Sequence, residues 1–264
     1  MKIEIPENIR EITPYPPGKP IEELEREYGI SGSIKLASNE NPFGPSPAAI
    51  EAMRGSLDNV HRYPDGSCHY LNQALADHLG VAAEQLVFGN GSNEIIEFLV
   101  KAFVKEGGEV ITSHPSFLMY QKFVQMRGGR NHVVELKEMH HDLDEIAALA
   151  SPATRLIFID NPNNPTGTLL SRDRLNGFLA KLPDHLIVVL DEAYIDFVDR
   201  DQRYDTLYLL DERQGRCAVV LLRTFSKAYG LAGLRIGFGI MAAPLAACLH
   251  KVRQPFNINP VSYT

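Results

Sequence analysis

Leu156-Ile-Phe-Ile-Asp160-Asn-Pro-Asn-Asn164-Pro-Thr-Gly167 joins a short apolar run to a turn of Asn, Pro and Gly, and Leu186-Ile-Val-Val-Leu-Asp191-Glu-Ala-Tyr194 again sets polar groups straight after such a run. Unbroken runs of large apolar residues suit strands buried on both faces. Four further stretches read the same way: Gln85–Gly89, Glu109–Ser113, Ala218–Arg223 and Arg235–Ile240. Between many of them lie segments with helical spacing, such as Ile95, Leu99, Ala102 and Phe103 after Asn93, or Leu175, Phe178, Leu179 and Leu182 after Ser171. This alternation predicts an α/β fold with a mainly parallel sheet.

The first ~40 residues differ, by the punctuation that Pro and Gly impose. Pro14, Pro16, Pro17, Gly18 and Pro20, a short charged helix over Ile21–Tyr28, and Asn39-Glu40-Asn41-Pro42-Phe43-Gly44-Pro45 predict an extended arm. At 264 residues, 44% hydrophobic and 22% charged, the chain is neither disordered nor fibrous and is long enough for a real core. Its net charge of −7, with no Lys/Arg block, gives no electrostatic footprint for nucleic acid or an anionic membrane. Small molecules or a second copy are the expected partners. Cys68, Cys217 and Cys248 are dispersed, with no Cys-x-x-Cys and no metal-ligand spacing, which suits a reducing compartment and no metal. The N-terminus lacks a signal-peptide layout, and Phe238–Leu249 is too short to span a bilayer. A soluble, cytoplasmic protein is expected.

In open α/β sheets ligands gather at the carboxyl ends of strands. Gly91-Ser92-Asn93 opens a helix there, either as a phosphate site or as an ordinary cap. Gly89-Asn-Gly91-Ser-Asn-Glu94 ends in Glu, which excludes the dinucleotide fingerprint and with it nicotinamide and flavin cofactors. Lys227, in a small-residue turn after a strand, is either a snorkelling surface lysine or an enclosed amine able to bond a carbonyl. Ser226 and Arg235 could hold a phosphate of the same ligand, Arg235 otherwise being an ordinary surface or ion-paired residue. Asp191 ends a wholly apolar run, where a carboxylate is costly unless a cation, such as a protonated heterocyclic nitrogen, pairs with it. A turn or capping aspartate is the alternative. Tyr194 either faces the same ligand or packs in the core.

Taken together, Asn161-Pro-Asn-Asn-Pro-Thr-Gly167, Asp191-Glu-Ala-Tyr194 and Thr224-Phe-Ser-Lys-Ala228 through Gly233-Leu-Arg235 resemble the fold-type I, pyridoxal-phosphate-dependent aminotransferases. The intervals are 27 residues from Asn164 to Asp191, 36 from Asp191 to Lys227 and 8 from Lys227 to Arg235. Within that superfamily the chain is similar to the histidinol-phosphate aminotransferases. The carriers are Pro14-Tyr15-Pro-Pro-Gly-Lys-Pro-Ile-Glu-Glu-Leu24, Leu36-Ala-Ser-Asn-Glu-Asn-Pro-Phe-Gly-Pro45, Arg62-Tyr-Pro-Asp-Gly66 and Asp191-Glu-Ala-Tyr-Ile-Asp-Phe197.

The resemblance implies a three-layer α/β/α domain with a seven-stranded, mainly parallel sheet, and pyridoxal 5'-phosphate as cofactor. It implies that Lys227 bonds the cofactor and then carries a proton, and that Asp191 keeps the pyridine nitrogen protonated. Tyr194 and Asn164 match the pair at the phenolic oxygen, and Phe117 the aromatic stacked on the ring. Ser92, Asn93, Thr224, Ser226 and Arg235 match the phosphate site. Tyr63 matches a tyrosine that reaches the neighbouring subunit's cofactor, implying a homodimer, and Tyr15 an arm residue near the substrate; Asn39 and Glu40 are divided between substrate contact and arm packing. The implied domains are an arm with part of a small domain over 1–37, a cofactor-binding domain over 38–250, and over 251–264 the start of a connection to a C-terminal small domain missing from these residues. That small domain would supply the arginine that grips the substrate. The implied reaction moves an amino group between histidinol phosphate and 2-oxoglutarate in histidine biosynthesis. The rivals are another amino donor, such as an aromatic amino acid, a related decarboxylase, and a binding module without turnover. A cis bond is expected at Asn164-Pro165 or His114-Pro115.

Overall fold

A computed structural model describes residues 3–211 and 217–262; the outermost residues of the expected arm and connection, 1–2 and 263–264, lie outside it. The strands are β1 Leu86–Asn90, β2 Glu109–His114, β3 Arg130–Glu135, β4 Thr154–Asp160, β5 Ile187–Asp191, β6 Ala218–Thr224 and β7 Ile236–Ile240. The helices are α1 Glu7–Arg10, α2 Ile21–Tyr28, α3 Pro47–Ser56, α4 His69–Leu79, α5 Ser92–Phe103, α6 Met119–Met126, α7 Leu143–Leu149, α8 Arg172–Leu179 and α9 Ala243–Val252.

The strands form one sheet in the order β1-β7-β6-β5-β4-β2-β3. Only β7 runs against the others, pairing antiparallel with both β1 and β6. The carboxyl ends of the other six therefore share one edge. Six strands fall within two residues of the runs read from sequence. The seventh, Arg130-Asn-His-Val-Val-Glu135, lies at the sheet edge and buries only Val134, so it lacks the apolar signal of an inner strand. Arg235, expected to begin β7, precedes it in the left-handed region at φ 56°.

Alternate residues of each inner strand serve opposite faces. On β5, Ile187 and Val189 join Ile95 and Leu99 of α5 and Leu249 of α9, while Val188 and Leu190 join Leu175 and Phe178 of α8. Two cores on one sheet make the three-layer architecture. Fully burying each such side chain stabilises the fold by about 1.5–3 kcal/mol. Helix α9 belongs to this body and runs to Val252.

The arm behaves as expected: no residue from 3 to 55 is buried. It is nevertheless anchored to the sheet's functional edge. Asn41 Nδ2 donates to the Ala228 carbonyl at 2.8 Å, and a Cβ on Gly230 would lie 2.4 Å from the Gly44 backbone. Gly230 also has φ 68°, so glycine meets both a steric and a conformational demand there. No helix among the described residues is long and apolar enough to cross a membrane.

Candidate active site

Five of the six aligned strand ends, those of β1, β2, β4, β5 and β6, enclose with the arm a cavity of about 500 Å3. Of the twelve residues matched to a cofactor or substrate role, all but Tyr63 line it; of the two left divided, Asn39 lines it and Glu40 does not.

One wall is the turn between β1 and α5. Gly91 has φ 79°, and a Cβ there would lie 2.5 Å from Arg235 Nη2. No side chain caps α5, so the first-turn N–H groups of Ser92 and Asn93 face the cavity without an internal acceptor from a cap. Gly91 is the N-cap residue by position, and its carbonyl accepts the Glu94 N–H at 3.2 Å, so the cap leaves the earlier N–H groups free for a ligand. Arg235 donates only to the carbonyls of Ala232 at 3.0 Å and Asn90 at 3.5 Å and has no acidic partner among the described residues. Ser226, 8% exposed, is fixed by Thr224, whose Oγ1 accepts the Ser226 N–H at 3.1 Å and lies 3.0 Å from Ser226 Oγ. A guanidinium, a hydroxyl and helix N–H groups converge where a dianion would be stabilised.

The floor is Asp191 at the end of β5, 5% exposed. It accepts from the Ala193 N–H at 3.1 Å and from the Tyr120 hydroxyl at 2.9 Å. Burial pushes its carboxyl up to about 7, the Tyr120 hydrogen bond opposing and the Asp160 charge adding to the rise. Tyr120 is fully buried and stacked on Phe158 with ring centroids 4.7 Å apart. The next residue, Glu192, points elsewhere, to Arg223 Nε at 2.8 Å and the Thr206 hydroxyl at 2.6 Å, and is a structural ion pair.

Three turns complete the site. Cis bonds occur at His114-Pro115 and Asn164-Pro165, as expected, and also at Asn161-Pro162. The first turn carries Phe117, edge-on to Tyr120 at 5.4 Å. Asn164, half-buried, has its backbone N–H held by Asp160 Oδ2 at 2.8 Å. After β6, Lys227 Nζ donates to the carbonyls of Ser38 at 2.9 Å and Asn39 at 3.3 Å and lies 5.6 Å from the Tyr194 ring centroid. Burial lowers the Lys227 amine's pKa; Glu40 opposes and Arg235 reinforces the shift. Asn39 Nδ2 donates to the Tyr194 hydroxyl at 2.9 Å, and Tyr15 lines the mouth at 52% exposure.

Tyr63 is 85% exposed, stacked on Phe256 at 5.0 Å beside Arg62 and Pro260. Sequence reasoning passed over Tyr120 and Asp160 and left Asn39 unassigned. A signal existed for Tyr120, since a buried tyrosine needs a partner for its hydroxyl. No group of three His, Cys, Asp or Glu that could hold a metal occurs among the described residues.

The family model described as aminotransferase class I and II matches residues 31–263. The chain belongs to this family. It is 63% identical over 262 residues to a histidinol-phosphate aminotransferase of Desulfotalea psychrophila, covering 99% of this chain and 69% of that one. A namesake from Moorella thermoacetica is 48% identical, with 96% and 65% covered. The crystal structure of histidinol-phosphate aminotransferase from Sinorhizobium meliloti in complex with pyridoxal-5'-phosphate superposes with a TM-score of 0.88 at 31% identity, over 100% of this chain and 70% of that one. This aminotransferase chain thus spans about two thirds of the length of such relatives.

The site fits that cofactor on its own chemistry. Asp191 is a buried carboxylate facing the cavity with no cation on it among the described residues, and the Arg235 guanidinium beside the cavity has no acidic partner among them. The Gly91 cradle would be closed by a Cβ. A flat heterocycle with a basic nitrogen at one end and a phosphate at the other answers all three features.

Proposed function

We propose that the chain is a histidinol-phosphate aminotransferase, using pyridoxal 5'-phosphate to move an amino group between histidinol phosphate and 2-oxoglutarate in histidine biosynthesis. The observation that carries this reading is the convergence on one cavity of a partly desolvated amine at Lys227, a buried carboxylate at Asp191 and a guanidinium at Arg235 without an acidic partner.

Arg235, Ser226 and the N–H groups of Ser92 and Asn93 hold the phosphate, and Thr224 orients Ser226. Asp191 pairs with the ring nitrogen and favours its protonated form; Tyr120 steadies Asp191 through its hydroxyl. Phe117 would stack on the ring, and Tyr194 and Asn164 would donate to the ring oxygen. Bound in this way, the cofactor supplies an electron sink for charge developing at the substrate's Cα. Lys227 Nζ, its pKa lowered, would move the proton between the substrate's Cα and the cofactor's C4′. Tyr15 and Asn39 close the mouth on the substrate side.

Two copies form a homodimer in this reading, with the exposed Tyr63 reaching the other copy's phosphate site. Residues 1–37 form an arm with part of a small domain, 38–250 the cofactor-binding domain and 251–264 the start of the connection to the rest of the small domain. The enzyme acts in the cytoplasm.

The test is to load the protein with pyridoxal phosphate, add histidinol phosphate without a keto acid, and follow the visible band of the bound cofactor. Conversion to the amine form is expected. A band that ignores histidinol phosphate but responds to an aromatic amino acid would move the assignment to that donor. No response to any amine would favour a binding module.

A further inference from the structure

The register of β4 and β5 sets Asp160 directly beside Asp191, so two carboxylates stand together at the cavity floor. The proposed chemistry uses one of them. Asp160 is 3% exposed and lines the cavity. Its Oδ1 accepts from Ser116 Oγ at 3.0 Å and Asn163 Nδ2 at 3.2 Å and lies 3.2 Å from His141 Nε2; its Oδ2 accepts the Asn164 N–H at 2.8 Å. Every partner donates, which suits a carboxylate that only accepts.

His141 is itself 2% exposed. Its Nε2 lies 3.0 Å from the Asp160 carbonyl oxygen, an acceptor only, which assigns the proton to Nε2; its Nδ1 meets Ser113 Oγ at 2.7 Å. The network thus ties together three separate segments: the end of β2 with its following turn, the stretch that leads into α7, and the turn after β4. Two of those turns carry Phe117 and Asn164.

We propose that Asp160, backed by His141, is a positioning residue for the transamination: its carboxylate clamps the Ser116-Phe117 turn to the Asn163-Asn164 turn and so fixes Asn164 for its contact with the cofactor's ring oxygen. This role rests on the cofactor reading given above. A clamp serving only the fold would act equally on every property of the chain. One that serves Asn164 acts through that residue, so its loss and the loss of Asn164 are not additive.

The experiment compares the unsubstituted protein with Asp160→Asn, Asn164→Ala and the double variant, measuring the dissociation constant of pyridoxal phosphate, the visible band of the bound cofactor, kcat and KM, and the melting temperature of the cofactor-free chain. Asp160→Asn replaces the acceptor facing the Asn164 N–H with an amide, and about tenfold weaker cofactor binding is expected, the scale of one buried hydrogen bond. The band should shift as it does in Asn164→Ala, kcat should fall more than KM rises, and the double variant should be little worse than Asn164→Ala alone. His141→Asn, which removes one supporting donor, should move the same quantities less and keeps the test open if Asp160→Asn does not fold. Unchanged affinity and band in both variants, or full additivity with Asn164→Ala, would overturn the role while leaving the cofactor reading intact. Failure of the unsubstituted protein to bind pyridoxal phosphate would instead overturn the cofactor reading, and the role with it.

Discussion

At the floor of the cavity Asp191, Asp160 and Ser226 are each less than 10% exposed and are held by hydrogen bonds from the sheet's own strands and turns. At the rim Tyr15 is 52% exposed, and Asn39 comes from an arm in which nothing is buried. The floor is preorganised by packing, which fixes where charge can be stabilised. The rim is held by a few polar contacts and can yield when a substrate enters. Lys227 belongs to both, rooted in the turn after β6 yet hydrogen-bonded to arm carbonyls.

The largest expected effect comes from that shared position. Lys227→Ala should lower single-turnover transfer by about 10²–10⁴-fold or more, the range a positioned acid–base group supplies, while equilibrium dialysis still detects bound pyridoxal phosphate. Loss of cofactor binding together with activity would show the floor to depend on the rim.

Asp191→Asn should lower kcat by about 10²–10³-fold, as loss of a preorganised charge does. It also carries a pH signature. Burial raises the Asp191 carboxyl to about 7, above the roughly 3.9 of the unfolded chain, so the cofactor-free fold keeps a proton that the unfolded chain releases. That stability is fully present below pH ~4 and is lost as pH rises to about 7, by on the order of 4 kcal/mol for three pH units. Urea denaturation from pH 4 to 8 should therefore show Asp191→Asn gaining on the parent as pH rises; parallel curves would refute a strained floor.

Tyr120→Phe removes one donor to that carboxylate, and a several-fold rise in the dissociation constant of pyridoxal phosphate is expected, with about 1 kcal/mol of stability lost. Asn39→Ala should be the mildest: KM for histidinol phosphate rises a few-fold, and the melting temperature stays within about 2 °C, as for surface substitutions. If Asn39→Ala destabilised the chain as much as Tyr120→Phe, the division between floor and rim would fail.

The floor was more legible in the sequence than the rim because continuous apolar runs announce inner strands, and the residue ending each run is held at the sheet's edge. Asp191 could be picked out on that basis, and Lys227 from the turn that follows such a run. Strand β3 escaped because an edge strand buries one face weakly, and Arg130, Asn131 and His132 hide its period. Tyr120 and Asp160 escaped because their partners lie 71 residues away for Tyr120 and, for the Ser116 contact to Asp160, 44 away; no local pattern encodes such pairs. Asn39 was visible but unassignable, since its partner Tyr194 is 155 residues distant.

The bond from Lys227 to the Ser38 carbonyl spans 189 residues. At the ~5–20 residues per second of protein synthesis, the arm emerges roughly 10–40 s before the turn that receives it. Through that interval Leu36 and Phe43, 87% and 94% exposed even in the finished fold, have no sheet to lie beside. A segment made early is thus fastened only by one made 189 residues later.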